Sequence, residues 1–270
     1  MEAVVSTPRC PLYLRPSAQS ELADEALLGW TVTILDNPCP GWYQVRTDYG
    51  YTGYAPAGAL TVGDGNARRW AGLEKKTVCR AIASVRSRPN VQGWQVEELL
   101  RGAWVAVHGD PDGDGWQKIS LPDGREGFTK TGFLRPMPAA PLTEAAFRQA
   151  VTHNAGLYLG THYLWGGKTP MGIDCSGLTF MAYRLAGAAI WRDASIKEGY
   201  PLHAIDPADK KPGDLMFFPG HVAMYLGQGR YIHSTAFNGS DGVVINSLDP
   251  AQADYRPDLP EKLTAVGSLF

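Results

Sequence analysis

The first half of the chain is filled by short runs in which apolar and polar residues alternate, each ended by turn-forming residues. Thr31-Val32-Thr33-Ile34-Leu35 is followed by Asn37-Pro38-Cys39-Pro40-Gly41, and Trp104-Val105-Ala106-Val107 by a stretch rich in Gly and Asp over 109–115. A period of two places successive side chains on opposite faces of a strand, and Pro, Gly and Asn interrupt it, so each stretch predicts strand, turn, strand. The pattern also repeats. Leu14-Arg15-Pro16 answers Ser87-Arg88-Pro89, Glu25-Ala26-Leu27-Leu28 answers Glu97-Glu98-Leu99-Leu100, and Gly41-Trp42-Tyr43-Gln44-Val45 answers Gly115-Trp116-Gln117-Lys118-Ile119. Two copies of one all-β unit are expected, over 1–63 and 76–136, with 64–75 as a linker. Small barrels suit such units because closure removes exposed sheet edges.

Beyond Arg135-Pro136-Met137-Pro138-Ala139-Ala140-Pro141 the period changes. Proline lacks the N–H that a helix or central strand needs, so 137–142 is expected to be a linker. Thr143 suits the N-cap of a helix running through Phe147, Ala150 and Val151 towards Tyr158. Apolar residues at Leu178, Met181, Ala182 and Leu185 before Gly187 predict a second helix with Cys175 in its first turn. Val222-Ala223-Met224-Tyr225-Leu226, a turn at Gly227-Gln228-Gly229-Arg230 and Tyr231-Ile232-His233-Ser234 predict a hairpin. Residues 143–270 thus read as an α+β domain.

A chain of 270 residues has room for two or three domains, and its 44% hydrophobic and 19% charged content is that of soluble globular proteins. A net charge of -2 with no concentrated basic patch gives no general attraction to nucleic acid or an anionic membrane. No apolar run approaches the roughly 18 residues of a membrane span, and the start, Met1-Glu2-Ala3-Val4-Val5-Ser6, lacks the basic segment and apolar core of a signal peptide. A cytoplasmic location is expected, with the cell envelope as the alternative should a leader have been removed. The four cysteines form no CxxC pair, so neither a zinc site nor a disulfide scaffold is favoured, although Cys10 and Cys39 would be free to bridge in an oxidising compartment. With no nucleotide-binding glycine loop and no metal box, no cofactor and no metal are expected.

Chemistry concentrates around Cys175. At a helix N-terminus, unpaired N–H groups and the positive end of the dipole favour a thiolate, and they lower the ordinary thiol pKa of about 8.5. The same groups can hold an oxyanion. The plainer alternative is a small buried hydrophobe. The neighbouring Asp174, Ser176 and Gly177 argue against it. A nucleophilic thiol needs a base, and the predicted hairpin brings His221 and His233 together, one to take the proton and the other to orient it. Zinc ligation would need further ligands that are not evident. Core histidines bonded to backbone carbonyls are the duller alternative.

Residues from about 150 to 250 resemble the NlpC-type cysteine peptidases, papain-like enzymes that cut bacterial peptidoglycan peptides. The resemblance is carried by Tyr163-Leu164-Trp165-Gly166-Gly167, by Gly172-Ile173-Asp174-Cys175-Ser176-Gly177-Leu178, and by the block from Gly213-Asp214-Leu215 through His221 to His233-Ser234. Residues 1 to about 137 are similar to the bacterial SH3-like domains of cell-wall enzymes. The resemblance implies an α+β, papain-like catalytic domain, its N-terminal helices packed on an antiparallel sheet, behind two small all-β SH3-like barrels. It implies Cys175 as nucleophile, His221 as base, His233 as the residue orienting it, and Tyr163 near the oxyanion pocket.

Two such barrels before the catalytic domain resemble the γ-D-glutamyl-L-diamino acid endopeptidases. That subgroup implies cleavage between D-glutamate and the diamino acid in peptides with a free N-terminal L-alanine. Asp174, assisted by Ser176, is then the partner of the alanine ammonium, joined by a tyrosine of the first barrel, Tyr54 or else Tyr51. A buried carboxylate left unpaired rejects peptides that lack the amine. Where some relatives offer a serine to substrate this chain has Ala194, which makes Ser195 the candidate substitute. The partners expected are peptidoglycan peptides, with no nucleic acid and no membrane, and the chain is expected as a monomer. The alternative is a D,L-endopeptidase of the intact wall, anchored by its barrels.

Overall fold

Two seven-stranded antiparallel sheets take up the alternating runs of the first half. In the computed structural model, which describes residues 1–137 and 142–270, the chain divides into two compact units, Met1–Met137 and Pro138–Phe270. Most of the stretch expected as a proline-rich linker, 138–141, lies outside the described residues. The first sheet is built from β1 (Glu2–Val5), β2 (Arg9–Tyr13), β3 (Leu22–Leu27), β4 (Thr31–Cys39), β5 (Trp42–Thr47), β6 (Thr52–Pro56) and β7 (Leu60–Val62). The second contains β8 (Lys75–Val78), β9 (Ile82–Arg86), β10 (Gln95–Leu100), β11 (Trp104–His108), β12 (Trp116–Ser120), β13 (Glu126–Lys130) and β14 (Leu134–Pro136). Their spatial orders are β3-β2-β6-β5-β4-β1-β7 and β10-β9-β13-β12-β11-β8-β14. Each strand of the second is the counterpart of one seven places earlier, so the sequence repeat is a repeat of topology. Leu28, Val85, Leu99, Val105 and Ile119 lie in one apolar core.

Where a linker is expected, at 64–75, the chain instead forms a helix, α1 (Asp64–Ala71). Gly65 and Asn66 are poor helix formers and eight residues are too few for an isolated helix, so its stability comes from packing. Trp70 is buried, donates from Nε1 to the Gly29 carbonyl at 2.8 Å, and packs with Val4 of the first sheet and Ala106 of the second. Asp64 in its first turn and Arg68 and Arg69 in its last complement the helix dipole. The two sheets meet closely at Gly29. Its φ of +86° favours glycine, and a Cβ there would lie 2.3 Å from the Trp104 carbonyl oxygen, too close for any other residue.

The second unit holds α2 (Glu144–Gly156), a short hairpin of β15 (Lys168–Thr169) and β16 (Gly172–Ile173), and α3 (Cys175–Leu185). A six-stranded antiparallel sheet follows, from β17 (His203–Ile205), β18 (Leu215–Phe218), β19 (His221–Gly227), β20 (Arg230–Thr235), β21 (Gly242–Ser247) and β22 (Ala265–Ser268), in the order β17-β22-β18-β19-β20-β21. Thr143 caps α2 as expected, accepting from the Ala146 N–H. Helix α3 is buried on nearly every side and packs on α2, β19 and β20. The Asp214 of the Gly213-Asp214-Leu215 block is structural: its Oδ1 accepts from Arg148 at 2.8 Å and Ser268 at 2.7 Å, and its Oδ2 from the Lys211 N–H. No helix among the described residues is long and apolar enough to cross a membrane.

Candidate active site

Asp174 starts α3. It sits in extended conformation (φ -90°, ψ 179°), and its Oδ1 accepts from the Gly177 N–H as an N-cap. Its Oδ2 accepts from the Gly166 N–H at 2.9 Å. The guanidinium of Arg192, only 1% exposed, grips both carboxylate oxygens at 3.1 Å, donates to Ser176 Oγ at 2.7 Å and reaches the Gly167 carbonyl at 3.3 Å. The two glycines of the motif permit this closeness. A Cβ on Gly177 would lie 2.2 Å from the Gly167 oxygen, and one on Gly167 would lie 2.6 Å from the Gly172 oxygen. One buried ion pair therefore locks the Gly166-Gly167 loop to the mouth of α3, with Cys175 at the first helical position.

The backbone N–H groups of Val222 and Ser176 point their positive ends at the Cys175 sulfur closely enough to favour its thiolate, which sets it beside the start of β19. The expected low pKa is not what the surroundings produce. Burial pushes the thiol up to about 11, and the Asp174 carboxylate adds to the rise, while the Val222 and Ser176 N–H groups and Arg192 pull against it. The helix terminus is outweighed chiefly by burial and then by the Asp174 charge.

His221 opens β19 and His233 lies on β20, as the hairpin pattern predicts. His221 Nε2 is 2.8 Å from His233 Nδ1, with the ring planes at 76°. Burial drives His221 down to about 3, helped by His233 and Arg256 and opposed by Asp258. It drives His233 down to about 4, opposed by the bond to Asn246. Both imidazoles are neutral near pH 7, so the resting pair is thiol and imidazole, with the proton still on sulfur. Since His221 Nε2 is engaged by His233, its Nδ1 is the nitrogen left for the thiol.

Tyr163 precedes the Gly166-Gly167 loop and pairs with Ile173. Burial raises its phenol well above the ordinary range, and the neighbouring Cys175 and Asp174 raise it further, so it stays a neutral O–H donor near the sulfur. Ser176 is buried and shares the Arg192 network, its hydroxyl donating to Asp174 at 3.3 Å. A substrate group approaching Asp174 must add to donors already in place. Ser195 is exposed in the loop after α3, its N–H bonded to the Asp193 carbonyl at 2.7 Å. Tyr54 lies on β6 of the first unit, opposite Tyr13 and Gln44, and Tyr51 donates its N–H to Thr47 Oγ1.

Two side chains that sequence reasoning passes over complete the arrangement. Arg192 stands in a loop with no periodic pattern, where nothing marks a buried guanidinium. Asn246 is the other. Its Oδ1 is 2.8 Å from His233 Nε2 and its Nδ2 donates to the Asp254 carbonyl at 2.6 Å. The sequence signal is faint: an amide near the end of the strand Gly242-Val243-Val244-Ile245-Asn246-Ser247, where a strand former would be usual. No group of His, Cys, Asp and Glu among the described residues is placed to hold a metal ion.

Residues 160–256 match the model of the NlpC/P60 family, and residues 12–60 that of a bacterial dipeptidyl-peptidase SH3 domain. Over the full length of both proteins the chain is 39% identical to dipeptidyl-peptidase 6 of Lysinibacillus sphaericus. It is 28% identical to a γ-D-glutamyl-L-lysine dipeptidyl-peptidase of Bacillus cereus, over 80% of this chain and 68% of that protein. The crystal structure of an NlpC/P60 family protein from Bacillus cereus superposes with a TM-score of 0.82 at 22% identity, covering 98% of each chain, which shows a shared fold.

Proposed function

The chain belongs to the NlpC/P60 family of cysteine peptidases, and we propose that it hydrolyses the γ-D-glutamyl-L-diamino acid bond of peptidoglycan-derived peptides that carry a free N-terminal L-alanine. The observation that carries the chemistry is the Cys175 sulfur beside the N–H of Val222, the residue that follows a neutral His221 whose Nε2 is held by His233. The substrate class is supported by the relatives, whose names specify γ-D-glutamyl-L-lysine bonds and removal of a dipeptide.

In this mechanism His221 Nδ1 takes the thiol proton as the sulfur attacks the γ-carbonyl carbon of D-glutamate. The carbonyl oxygen becomes an oxyanion, held by the Cys175 N–H, which has no helical partner at the first turn, and by the Tyr163 O–H. His221 then gives its proton to the departing α-amine of the diamino acid, which leaves L-Ala-γ-D-Glu as a thioester on Cys175. Water, deprotonated by the same imidazole, attacks the thioester, and the protonated sulfur leaves. Asp174 and Ser176 flank the nucleophile and are assigned to the alanine ammonium, in addition to their bonds with Arg192, with Ser195 as a further polar contact.

Digestion of synthetic L-Ala-γ-D-Glu-L-diamino acid peptides with free and acetylated N-termini, beside intact sacculi, tests this. Release of L-Ala-γ-D-Glu from the free peptide alone is expected. Equal activity on the acetylated peptide or on sacculi would overturn the specificity and favour a wall endopeptidase.

A further inference from the structure

The hydrogen-bond chain behind the nucleophile has a direction, and the direction is set at its far end. Asp254 contributes a backbone carbonyl, which can only accept, so the Asn246 group 2.6 Å from it is the NH2. The Asn246 oxygen therefore faces His233, and the His233 Nε2 at 2.8 Å must carry a proton to donate to it. A neutral His233 then has a bare Nδ1, which accepts from His221 Nε2–H at 2.8 Å. A neutral His221 in turn has a bare Nδ1. Each step follows from the one before, because a neutral imidazole carries one N–H and one lone pair.

We propose that Asn246 is a positioning residue which fixes the tautomers of both imidazoles, leaving the lone pair of His221 on Nδ1 to act as the base. Any side chain without an acceptor at 246 lets His233 carry its proton on Nδ1. That proton would meet His221 Nε2, force the His221 proton onto Nδ1, and remove the base. Burial strengthens the constraint, since Asn246 is 8% exposed and His233 fully buried, so water does not readily substitute as acceptor. The charged groups around the pair are the Arg256 guanidinium and the Asp258 carboxylate, with the ring of Phe218 on β18 against His221 and that of Tyr231, on β20 itself, against His233.

The inference rests on the reading of Cys175 and His221 as thiol and base, yet its main test needs no substrate. In the full-length protein with 15N-labelled histidines, multiple-bond 1H–15N spectra are expected to show His221 and His233 both protonated on Nε2 and bare on Nδ1. Asn246→Leu should populate the Nδ1–H form of His233 and lower kcat at least about tenfold with little change in KM, because a wrong tautomer in a catalytic imidazole is costly. It should also slow alkylation of Cys175 by iodoacetamide. Asn246→Asp keeps an acceptor, so it should restore the Nε2–H form and much of kcat, with the acid limb of the pH profile moved upward by the added carboxylate. An Nδ1–H tautomer in the wild-type protein overturns the proposal, and this holds even if the leucine variant fails to fold. So do unchanged tautomers and kcat in Asn246→Leu, or an aspartate variant no better than the leucine one. Correct tautomers in a protein that hydrolyses none of the peptides would instead overturn the proposed function and leave the positioning role standing.

Discussion

Replacing Arg192 by methionine probes the ion pair on which the geometry of the nucleophile depends. The guanidinium makes two bonds of 3.1 Å to Asp174, one of 2.7 Å to Ser176 and one of 3.3 Å to Gly167, and the two side chains are 1% and 9% exposed. Methionine fills a similar volume but leaves Asp174 as a buried carboxylate with only the Gly166 and Gly177 N–H groups and the Ser176 hydroxyl. Removing one partner of a buried pair costs about 3–5 kcal/mol, most of it the penalty of the charge left behind. At that magnitude the amides at the start of α3 should exchange with solvent more than about 100-fold faster wherever their exchange proceeds through opening of this lock. The assay is native-state hydrogen exchange on Arg192→Met, Asp174→Asn and the double variant, and the cycle should give a coupling of at least about 2 kcal/mol. Arg192→Lys keeps the charge without the two-pronged grip and should fall between. A coupling below about 0.5 kcal/mol, with peptidase activity retained in Arg192→Met, would refute the claim that this pair holds the site together.

Other outcomes follow from the packing and the buried charges. Gly177→Ala places a methyl 2.2 Å from the Gly167 oxygen, so it should cost about 1–3 kcal/mol in thermal unfolding and abolish measurable activity; a variant with wild-type kcat would contradict the close approach. Trp70→Ala should destabilise the first unit by about 3–5 kcal/mol in urea unfolding, whereas a dispensable linker would show under about 0.5 kcal/mol. The buried histidines link stability to pH. Their folded pKa values, about 3 for His221 and about 4 for His233, lie below the unfolded value, so between those values and about 6.5 the unfolded chain binds more protons. Their contribution is fully present above pH 6.5 and is lost as pH falls, with a slope of up to about 1.4 kcal/mol per pH unit for each histidine. His233→Gln should flatten that slope between pH 4 and 6.5, and an unaltered slope would contradict neutral burial.

Legibility in the sequence follows the range of the interactions. The strands, the repeat, the Thr143 cap and the His221–His233 hairpin are readable because alternation, capping and turn chemistry act over a few residues. The reactive stretch around Cys175 is readable for the same reason, since cap, nucleophile and glycine are contiguous. Helix α1 escapes because its evidence is tertiary: Trp70 has meaning only when the Gly29 carbonyl and Ala106 are beside it. Arg192 and Asn246 escape because their partners, Asp174 and His233, are distant in sequence and no local pattern requires them. The raised pKa of Cys175 is hidden for a related reason. The dipole of α3 can be inferred from position, but the depth of burial and the Asp174 charge that outweigh it exist only once the chain is folded.

An acid-quenched single turnover tests the central chemistry most directly. Full-length protein mixed with excess L-Ala-γ-D-Glu-L-Lys, quenched within the first turnover and digested, should carry L-Ala-γ-D-Glu as a thioester on the Cys175 peptide, and Cys175→Ala should carry none and release no lysine. An acyl group on another residue, or undiminished lysine release from Cys175→Ala, would contradict Cys175 as the nucleophile.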